Sequence, residues 1–456
     1  MMKPVFAILY AGYRVFTSLR DWARRRFTRP GLAILGALMV AATLAIDTES
    51  TVAYQALPVL LCLLLVAVAF SWFFRARFSA IRLLPRVATA GRPFGYRVLV
   101  KNLTPKAQSG LTLLEEVADL RPAFRDWQAV QLAEAKQARS FRFSQCRRTS
   151  PFKLATAKEA AVPSVGPNQE AEVRVEVTPL RRGILRFRGT TLARPDPLGL
   201  YRAFVKVPLP QTVIILPKRY LLPPIALPGT MRYQQGGVAL ASNVGQSEEF
   251  VALRDYRRGD PLRHIHWRSW AKAGKPIVKE FEDEFFVRHA LVLDTFTDQP
   301  HSEVFEEAVS VAASFACTIP TQESLLDLLF VGPQAYCFTA GRGLAHADQM
   351  LEILASVRAC QDKPFGALEH LVLGHVGVVS GCICVLLAWD EERRRLVEKL
   401  RMLGVPVLVL VVTEAGRGET LEPGPMRDEP DRLRALEAGQ IEAGLARLGG
   451  RDSKSR

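Results

Sequence analysis

Two apolar stretches near the N-terminus limit what this chain can become. The first, "GLAILGALMVAATLAI", runs over residues 31–46; the second, "VAYQALPVLLCLLLVAVAFSWFF", runs over 52–74, and neither holds an Asp, Glu, Lys or Arg. At about 1.5 Å of rise per helical residue, the first falls slightly short of a hydrocarbon core of roughly 30 Å, while the second can cross it with some tilt. Trp72 sits where an interfacial aromatic belongs, and Pro30 can start the first helix. Only "DTEST" separates the two stretches, too little for a domain, so residues 30–74 are expected to form a transmembrane helical hairpin.

The flanks orient that hairpin. Arg24, Arg25, Arg26 and Arg29 precede it, Arg75, Arg77, Arg82 and Arg86 follow it, and the short connection is mildly acidic. The positive-inside bias then places both outer flanks in the cytoplasm. The expectation is a two-pass protein of the cell inner membrane with both termini and all soluble domains cytoplasmic. Residues 1–29 mix aromatics with arginines and read as an amphipathic helix lying along the inner leaflet. A cleaved signal peptide is the competing reading, but it leaves no reason for a second apolar run immediately afterwards. A buried helical hairpin is the other.

Charge and cysteine usage narrow the function class. The whole chain carries a formal charge of +15, yet residues 1–86 alone hold eleven Lys/Arg against three acids. The basic excess therefore belongs largely to the membrane flanks and does not mark a phosphate-tracking surface. Seven cysteines, an odd number, follow no disulfide framework and fit reduced thiols. Cys382 and Cys384 would share one face of a strand, as buried thiols sooner than as metal ligands.

Beyond the hairpin, two modules are expected. Residues 79–220 are rich in Val, Ile and aromatics broken by Gly and Pro, which predicts an antiparallel β-sandwich of immunoglobulin-like kind. Residues 119–168 within it read as an insertion outside the core, with "QLAEAKQAR" helical or loose. From 285 to 447 apolar strands alternate with amphipathic helices, predicting a doubly wound α/β domain. Glu303 to Phe315 and Asp390 to Leu403 are its clearest helices, and a helical pattern at Leu433, Leu436, Ile441 and Leu445 would cap the sheet. Residues 448–456 are expected to be a disordered tail.

Between these modules lies the most unusual stretch, residues 246–284, containing "DYRRGDPLRHIHWRSWAKAGKPIVKEFEDE". From Glu248 to Glu284 it holds eight Lys/Arg and eight Asp/Glu, so it lacks the surplus a nucleic-acid groove needs. Asp260 as N-cap, Pro261 at the first turn and Gly274 as terminator predict a helix over 261–273. On that helix His264 and His266 diverge, which argues against a shared metal. No Gly-x-Ser-x-Gly elbow and no phosphate loop accompany the segment, so no catalytic residue is assigned. The expected interaction residues are Arg254, Tyr256, Gly259, Asp260, Arg263, Trp267, Arg268, Trp270 and Glu280. In one version arginines 254, 257, 263 and 268 pair with acids 249, 255, 260 and 280 as an internal brace between the β-rich and α/β modules, with the tryptophans buried. In the other the surface stays open as a dock, since Arg, Trp and Tyr are typical hot-spot residues.

The stretch "EEFVALRDYRRGDPLRHIHWRSWAKAGKPIVKEFEDE" closely resembles the signature of the bacterial proteins known as domain of unknown function 58. "PLRRGILRFRGTTLARPDPLGLYRA" resembles a second recurrent stretch of that family, at Arg182, Gly183 and Asp196 to Leu200. The resemblance implies two spans, a β-rich region and a C-terminal von Willebrand factor type A-like domain. It also implies a protein partner such as a MoxR-type AAA+ ATPase or a transglutaminase-like membrane protein, and no established reaction. The adhesion site of a type A domain uses Asp-x-Ser-x-Ser after its first strand. Here the matching residues are Asp294, Thr295, Phe296, Thr297 and Asp298, with Asp390 after a later strand. Phe296 cannot ligate a cation. The expected activity is therefore scaffolding or assembly with such an ATPase or with cell-envelope machinery, without a cofactor. The runner-up is a ligand-binding module holding Mg²⁺ or Mn²⁺ through Asp294, Asp298 and Asp390, and the third reading is a membrane-bound hydrolase centred on residues 260–266.

Overall fold

The computed structural model describes residues 3–44, 51–118, 122–138, 152–223, 232–233, 250–257, 262, 265–281, 285–299, 302–319, 324–341, 347–414 and 421–449. The chain divides into two units, Met1–Pro217 and Lys218–Arg456.

The first unit begins with three helices, α1 (Lys3–Arg26), α2 (Arg29–Leu44) and α3 (Thr51–Trp72). Thr28 opens α2, its hydroxyl accepting from the Gly31 amide at 3.2 Å. Within α3, Tyr54–Trp72 is long and apolar enough to cross a membrane, and α2 is a shorter apolar helix. Met39, Val40, Val59, Leu65 and Phe70 are all exposed, an outward apolar dress that water does not reward.

The strands that follow are β1 (Phe78–Leu83), β2 (Val87–Thr89), β3 (Phe94–Asn102) and β4 (Leu111–Val117), then helix α4 (Phe124–Ala138). After it come β5 (Ala155–Ala157), β6 (Ala160–Val162), β7 (Glu170–Pro179), β8 (Gly183–Pro195) and β9 (Arg202–Leu216). They form two sheets, ordered β1-β3-β7-β5 and β2-β9-β8-β4-β6. Strict alternation drives this: Val98, Val100, Val173, Val175 and Val177 point inward from one sheet, and Leu113, Leu185, Phe187, Val213 and Ile215 from the other. The expected sandwich is thus present, with one correction. Residues 155–162 are not an insertion outside the core, because β5 and β6 extend the sheets and Ala155 and Val162 are buried. Three-residue strands are too short to display alternation in a sequence.

A charge sits inside the sandwich. Arg82 occupies an inward position of β1 and pairs with Glu115 of β4, its Nε donating at 3.2 Å, while its other nitrogens reach the carbonyls of Leu209 and Gly189. Burial pushes the Glu115 carboxyl up, against the pull of Arg82. Removing either partner alone would leave the other charge buried and unpaired.

The turn between β8 and β9 is built by Asp196, whose carboxylate accepts from the amides of Leu198, Leu200 and Tyr201 at 2.8, 2.7 and 2.6 Å. Leu200 and Tyr201 are buried with Phe27, Leu64 and Ala67, so this turn seats on α2 and α3. The seat is tight at Gly31, where a Cβ would stand 2.0 Å from the Leu200 carbonyl oxygen. Arg26 lies over the Phe204 ring at 4.3 Å, and the Thr28 hydroxyl donates to the Gly199 carbonyl.

The second unit contains β10 (Arg232–Tyr233), β11 (Phe250–Asp255), α5 (Trp267–Ala273), β12 (Ile277–Phe281), β13 (Phe285–Leu293), α6 (Glu303–Thr318), β14 (Ser324–Val331) and β15 (Ala335–Ala340). These are followed by α7 (Ala347–Ser356), α8 (Gly366–His375), β16 (Gly381–Leu386), α9 (Glu391–Met402), β17 (Val407–Thr413), β18 (Leu433–Glu437) and α10 (Ile441–Ala446). The main sheet runs β15-β14-β13-β16-β17-β18, with β10 also paired to β13. All of its pairings from β14 to β18 are parallel, and β15 is an antiparallel edge. β14 and β16 are buried at every position and β17 at all but its last, as a sheet covered on both faces requires. Two expectations need correcting. Leu433 to Glu437 is a strand pairing with β17, and only Ile441–Ala446 is helical; the i, i+3 spacing of Leu433 and Leu436 mimicked a helix. α8 was not anticipated. The tail expected from 448 falls, from 450 onward, outside the described residues.

Candidate functional site

The strand order of the second unit reverses between β13 and β16, and crevices at such reversals, beyond the carboxyl ends of the strands, are where doubly wound sheets bind ligands. Asp294 follows β13 directly and Asp390 caps α9 just after β16, its side chain accepting from the Arg393 amide. The structure does bring these two acids together, around a residue that the sequence reading did not single out. Arg393 Nε donates to Asp294 Oδ2 at 2.7 Å, Nη1 to Asp390 Oδ2 at 2.5 Å, and Nη2 to the Phe296 carbonyl at 3.3 Å. Its guanidinium lies over the Phe365 ring at 4.7 Å.

Asp294 is fully buried, and both of its oxygens are in use. Oδ1 accepts from the Phe296 amide at 2.9 Å, and Oδ2 also accepts from the Leu387 amide at 3.1 Å. Burial pushes its carboxyl up, opposed by Arg393 and the two amides. Burial works to lower the Arg393 value, but Asp294 and Asp390 outweigh it and raise it further. The crevice therefore contains its own cation, and a divalent ion would have to displace a buried, triply bonded guanidinium. Asp298 takes no part in the bonds to Arg393; its carbonyl accepts from Gln361 at 3.1 Å. Among the described residues no group of three or more His, Cys, Asp or Glu could hold a metal ion. A signal for Arg393 exists in the sequence: it falls on the same helical stripe as Leu396, Val397 and Leu400, where an arginine has no business unless it meets a buried acid.

A second buried pair lies across β13 and β14. Arg288 donates to Asp327 at 2.6 and 3.1 Å, and the Thr339 hydroxyl adds a bond of 2.6 Å. Each charge stands inside an otherwise apolar strand, which is again the readable sign.

The charged stretch of residues 246–284 folds into a different local structure from the one expected. β11 and β12 form a two-stranded antiparallel sheet of their own, and the connection between them carries α5. The helix does not start at 261. Ile265 pairs with Val278 as an isolated bridge, His266 is the N-cap, and α5 covers only Trp267–Ala273. Ile265 and Val278 are both buried, so the β bridge claims the residue that a longer helix would have needed. The terminator is as expected: Gly274 has φ 69 and its amide returns to the Trp270 carbonyl at 2.9 Å.

The candidate residues are distributed as follows. Arg254 is on β11 and half-buried, and Tyr256 is half-buried just beyond it. Asp255 pairs with Lys275 at 2.7 Å, in place of the arginine partner expected for it. Trp267 is 65% exposed and Trp270 half-buried; they stack at 5.2 Å with planes 18° apart. Arg268 is exposed on the same short helix, and Leu262 is 69% exposed. Gly259, Asp260 and Arg263 lie outside the described residues, as does His264; Glu280 is placed on β12 by its backbone. His266 Nδ1 lies 2.7 Å from the Ser269 hydroxyl. This closes the first turn of α5, and among the described residues no carboxylate is hydrogen-bonded to that imidazole.

Comparison with known proteins concerns this second unit first. The family model "Protein of unknown function DUF58" matches residues 252–408. The uncharacterized protein YeaD of Bacillus subtilis (strain 168) is 27% identical over 207 residues, which is 44% of this chain and 50% of that protein. The chain thus spans about half the length of the curated relative it matches. Among solved structures, the CARDB domain of PF1109 from Pyrococcus furiosus is 16% identical over 30% of this chain and 90% of its own, with a TM-score of 0.16. A cohesin module from a Clostridium perfringens family 33 glycoside hydrolase is 12% identical over 31% and 98%, with a TM-score of 0.15.

Proposed function

Since this chain belongs to the DUF58 family through residues 252–408, a family of unknown function, we propose that it is a non-enzymatic, membrane-anchored scaffold that engages another protein through its family segment. The observation that carries this reading is the exposed Trp267, stacked on Trp270 on the small β11–β12 sheet. That sheet closes its own core with Ile265 and Val278 and its own ion pair at Lys275 and Asp255. The exposed Trp267 ring lies outside that core and that ion pair, and a large exposed aromatic beside Arg268 and Lys272 suits a hot spot with a polar rim. This favours the dock over the brace.

The rest of the architecture is read consistently with that role. The reversal of strand order around β13 and the antiparallel edge β15 support a von Willebrand factor type A-like unit. In it, Arg393 stands where the adhesion-type site would take its metal, which favours a unit working by surface contact. α2 and α3 are read as a two-pass anchor of the inner membrane, with the arginine-rich flanks and both soluble parts cytoplasmic. The partner class that the family resemblance implies is a MoxR-type AAA+ ATPase, with a transglutaminase-like membrane protein as the neighbouring alternative.

The test is a binding titration between the full chain in detergent and a purified MoxR-type ATPase from the same cell. Trp267→Ala is expected to weaken binding by about thirtyfold, as loss of a hot spot worth about 2 kcal/mol would. Because Trp267 is largely solvent-exposed, the variant should melt where the wild type does. Unchanged affinity in both Trp267→Ala and Arg268→Glu would overturn the dock.

A further inference from the structure

Helix α1 has two apolar faces: one packs on α4, and the other, among the described residues, is largely exposed, with Trp22 meeting Phe27 edge-on at 5.9 Å. Phe6, Tyr10 and Tyr13 gather around Trp127 of α4, with ring centroids 6.4, 5.5 and 5.8 Å away, and the Tyr10 hydroxyl donates to the Pro122 carbonyl at 2.7 Å. On the opposite side Ile8, Val15, Leu19 and Trp22 are all exposed. At about 3.6 residues per turn these four fall within about 60° of arc. Ala11, Arg14, Val15, Ser18, Leu19 and Trp22 line a shallow groove along that stripe. Arg14 and Arg25 flank it on one edge, and on the other the exposed Leu9 and Phe16 widen it as far as Arg20, whose Nε stands 3.7 Å from Asp21; all three arginines are exposed. With its arginines α1 cannot span a bilayer, and it leads through Phe27 and Thr28 straight into α2.

We propose that this stripe lies in the acidic headgroup surface of a lipid bilayer, with Ile8, Val15, Leu19 and Trp22 inserted and Arg14, Arg20 and Arg25 reaching anionic phosphates. Three observations select lipid as the occupant. Cations border the apolar strip on both sides, the arrangement that lets long basic side chains snorkel to phosphates while the strip is buried. A second copy of the same helix would bring arginine against arginine along both borders. α3, the helix read as the membrane span, carries an exposed apolar patch of its own, where Leu198 joins Pro58, Val59, Cys62, Leu63 and Val66. The inference rests on the membrane reading of α3 and is independent of the Trp267 dock.

Intact protein reconstituted into vesicles with brominated acyl chains tests it, since bromine quenches tryptophans at the depth of the chains. The emission lost in Trp22→Phe is expected to be the quenched fraction in phosphatidylglycerol vesicles, and clearly less quenched in phosphatidylcholine. The combined variant Arg14→Gln, Arg20→Gln, Arg25→Gln should show the same reduction. Trp72→Phe reports on α3 in the same preparation. If the Trp72 component is quenched and the Trp22 component is not, the proposal fails while the anchor stands; if neither is quenched, both fall. Equal quenching of Trp22 in neutral and acidic lipid removes the headgroup assignment. A dimer that Leu19→Glu dissolves, with Trp22 unquenched, gives the face to a second copy and overturns the lipid assignment.

Discussion

Arg393 uses all three guanidinium nitrogens on Asp294, Asp390 and the Phe296 carbonyl. Removing it leaves Asp294 as a completely buried carboxylate with only two amide donors. Breaking a buried pair by deleting one partner costs about 3–5 kcal/mol, whereas replacing both partners by apolar residues of similar volume can be nearly neutral. Arg393→Ala should therefore lower the unfolding free energy obtained by urea titration by that amount, and Asp294→Leu combined with Arg393→Met should recover most of it. Equal destabilisation by the single and double changes would show that the crevice needs the charges themselves. At this scale the sequence was half legible. Asp294 and Asp390 could be found as acids at strand ends, but their meaning depended on Arg393, which approaches Asp294 from ninety-nine positions away. Trp267 was visible as a candidate and its exposure was not, because exposure depends on which neighbours the fold supplies.

At the scale of elements, long periodic segments were readable and short ones were not. β13, β14, β16 and β17 are runs of apolar residues whose length and β-branching identify them, and α6 and α9 show their stripes. β5, β6 and β18 exist because a neighbouring strand offers them unpaired backbone, a fact that no local pattern contains. The start of α5 was misplaced for the same reason, since Val278 captures Ile265 across the hairpin. The junction of α2 with the β8–β9 turn allows a sharper test. Gly31 has no room for a Cβ because the Leu200 carbonyl is in its place, held there by the Asp196 turn. Although alanine favours helix by about 1 kcal/mol over glycine, Gly31→Ala should destabilise the first unit, read as a lower melting temperature in detergent. Gly36→Ala on the same helix meets nothing and should be neutral or stabilising. A stabilising Gly31→Ala would mean that the turn and the helix are not in contact.

For the whole molecule, the division at Pro217 and Lys218 separates a unit holding an apolar helix long enough to cross a membrane from one built mainly on a buried parallel sheet. A fragment beginning at Lys218 keeps Tyr220, whose amide donates to the Ser314 hydroxyl and whose phenol donates to Glu307. It should purify without detergent and melt in one cooperative transition followed by circular dichroism, whereas the intact chain should need detergent. Aggregation of that fragment with no helical signal would show that the second unit depends on the first. An apolar run, an alternating region and a βα rhythm each leave a different signature in a sequence, which is why modules of this kind are readable before their contacts are.

The turn fastened by Asp196 has a mechanical corollary. It seats directly on α2 and α3, and only residues 73–77 separate α3 from β1. The sandwich is consequently bolted to these helices at two places, with no slack tether between them. Where α3 crosses a bilayer, as proposed, tilt imposed by a thicker or thinner one would reach the β8–β9 ladder as torque, making the lipid environment a lever on the N-terminal unit.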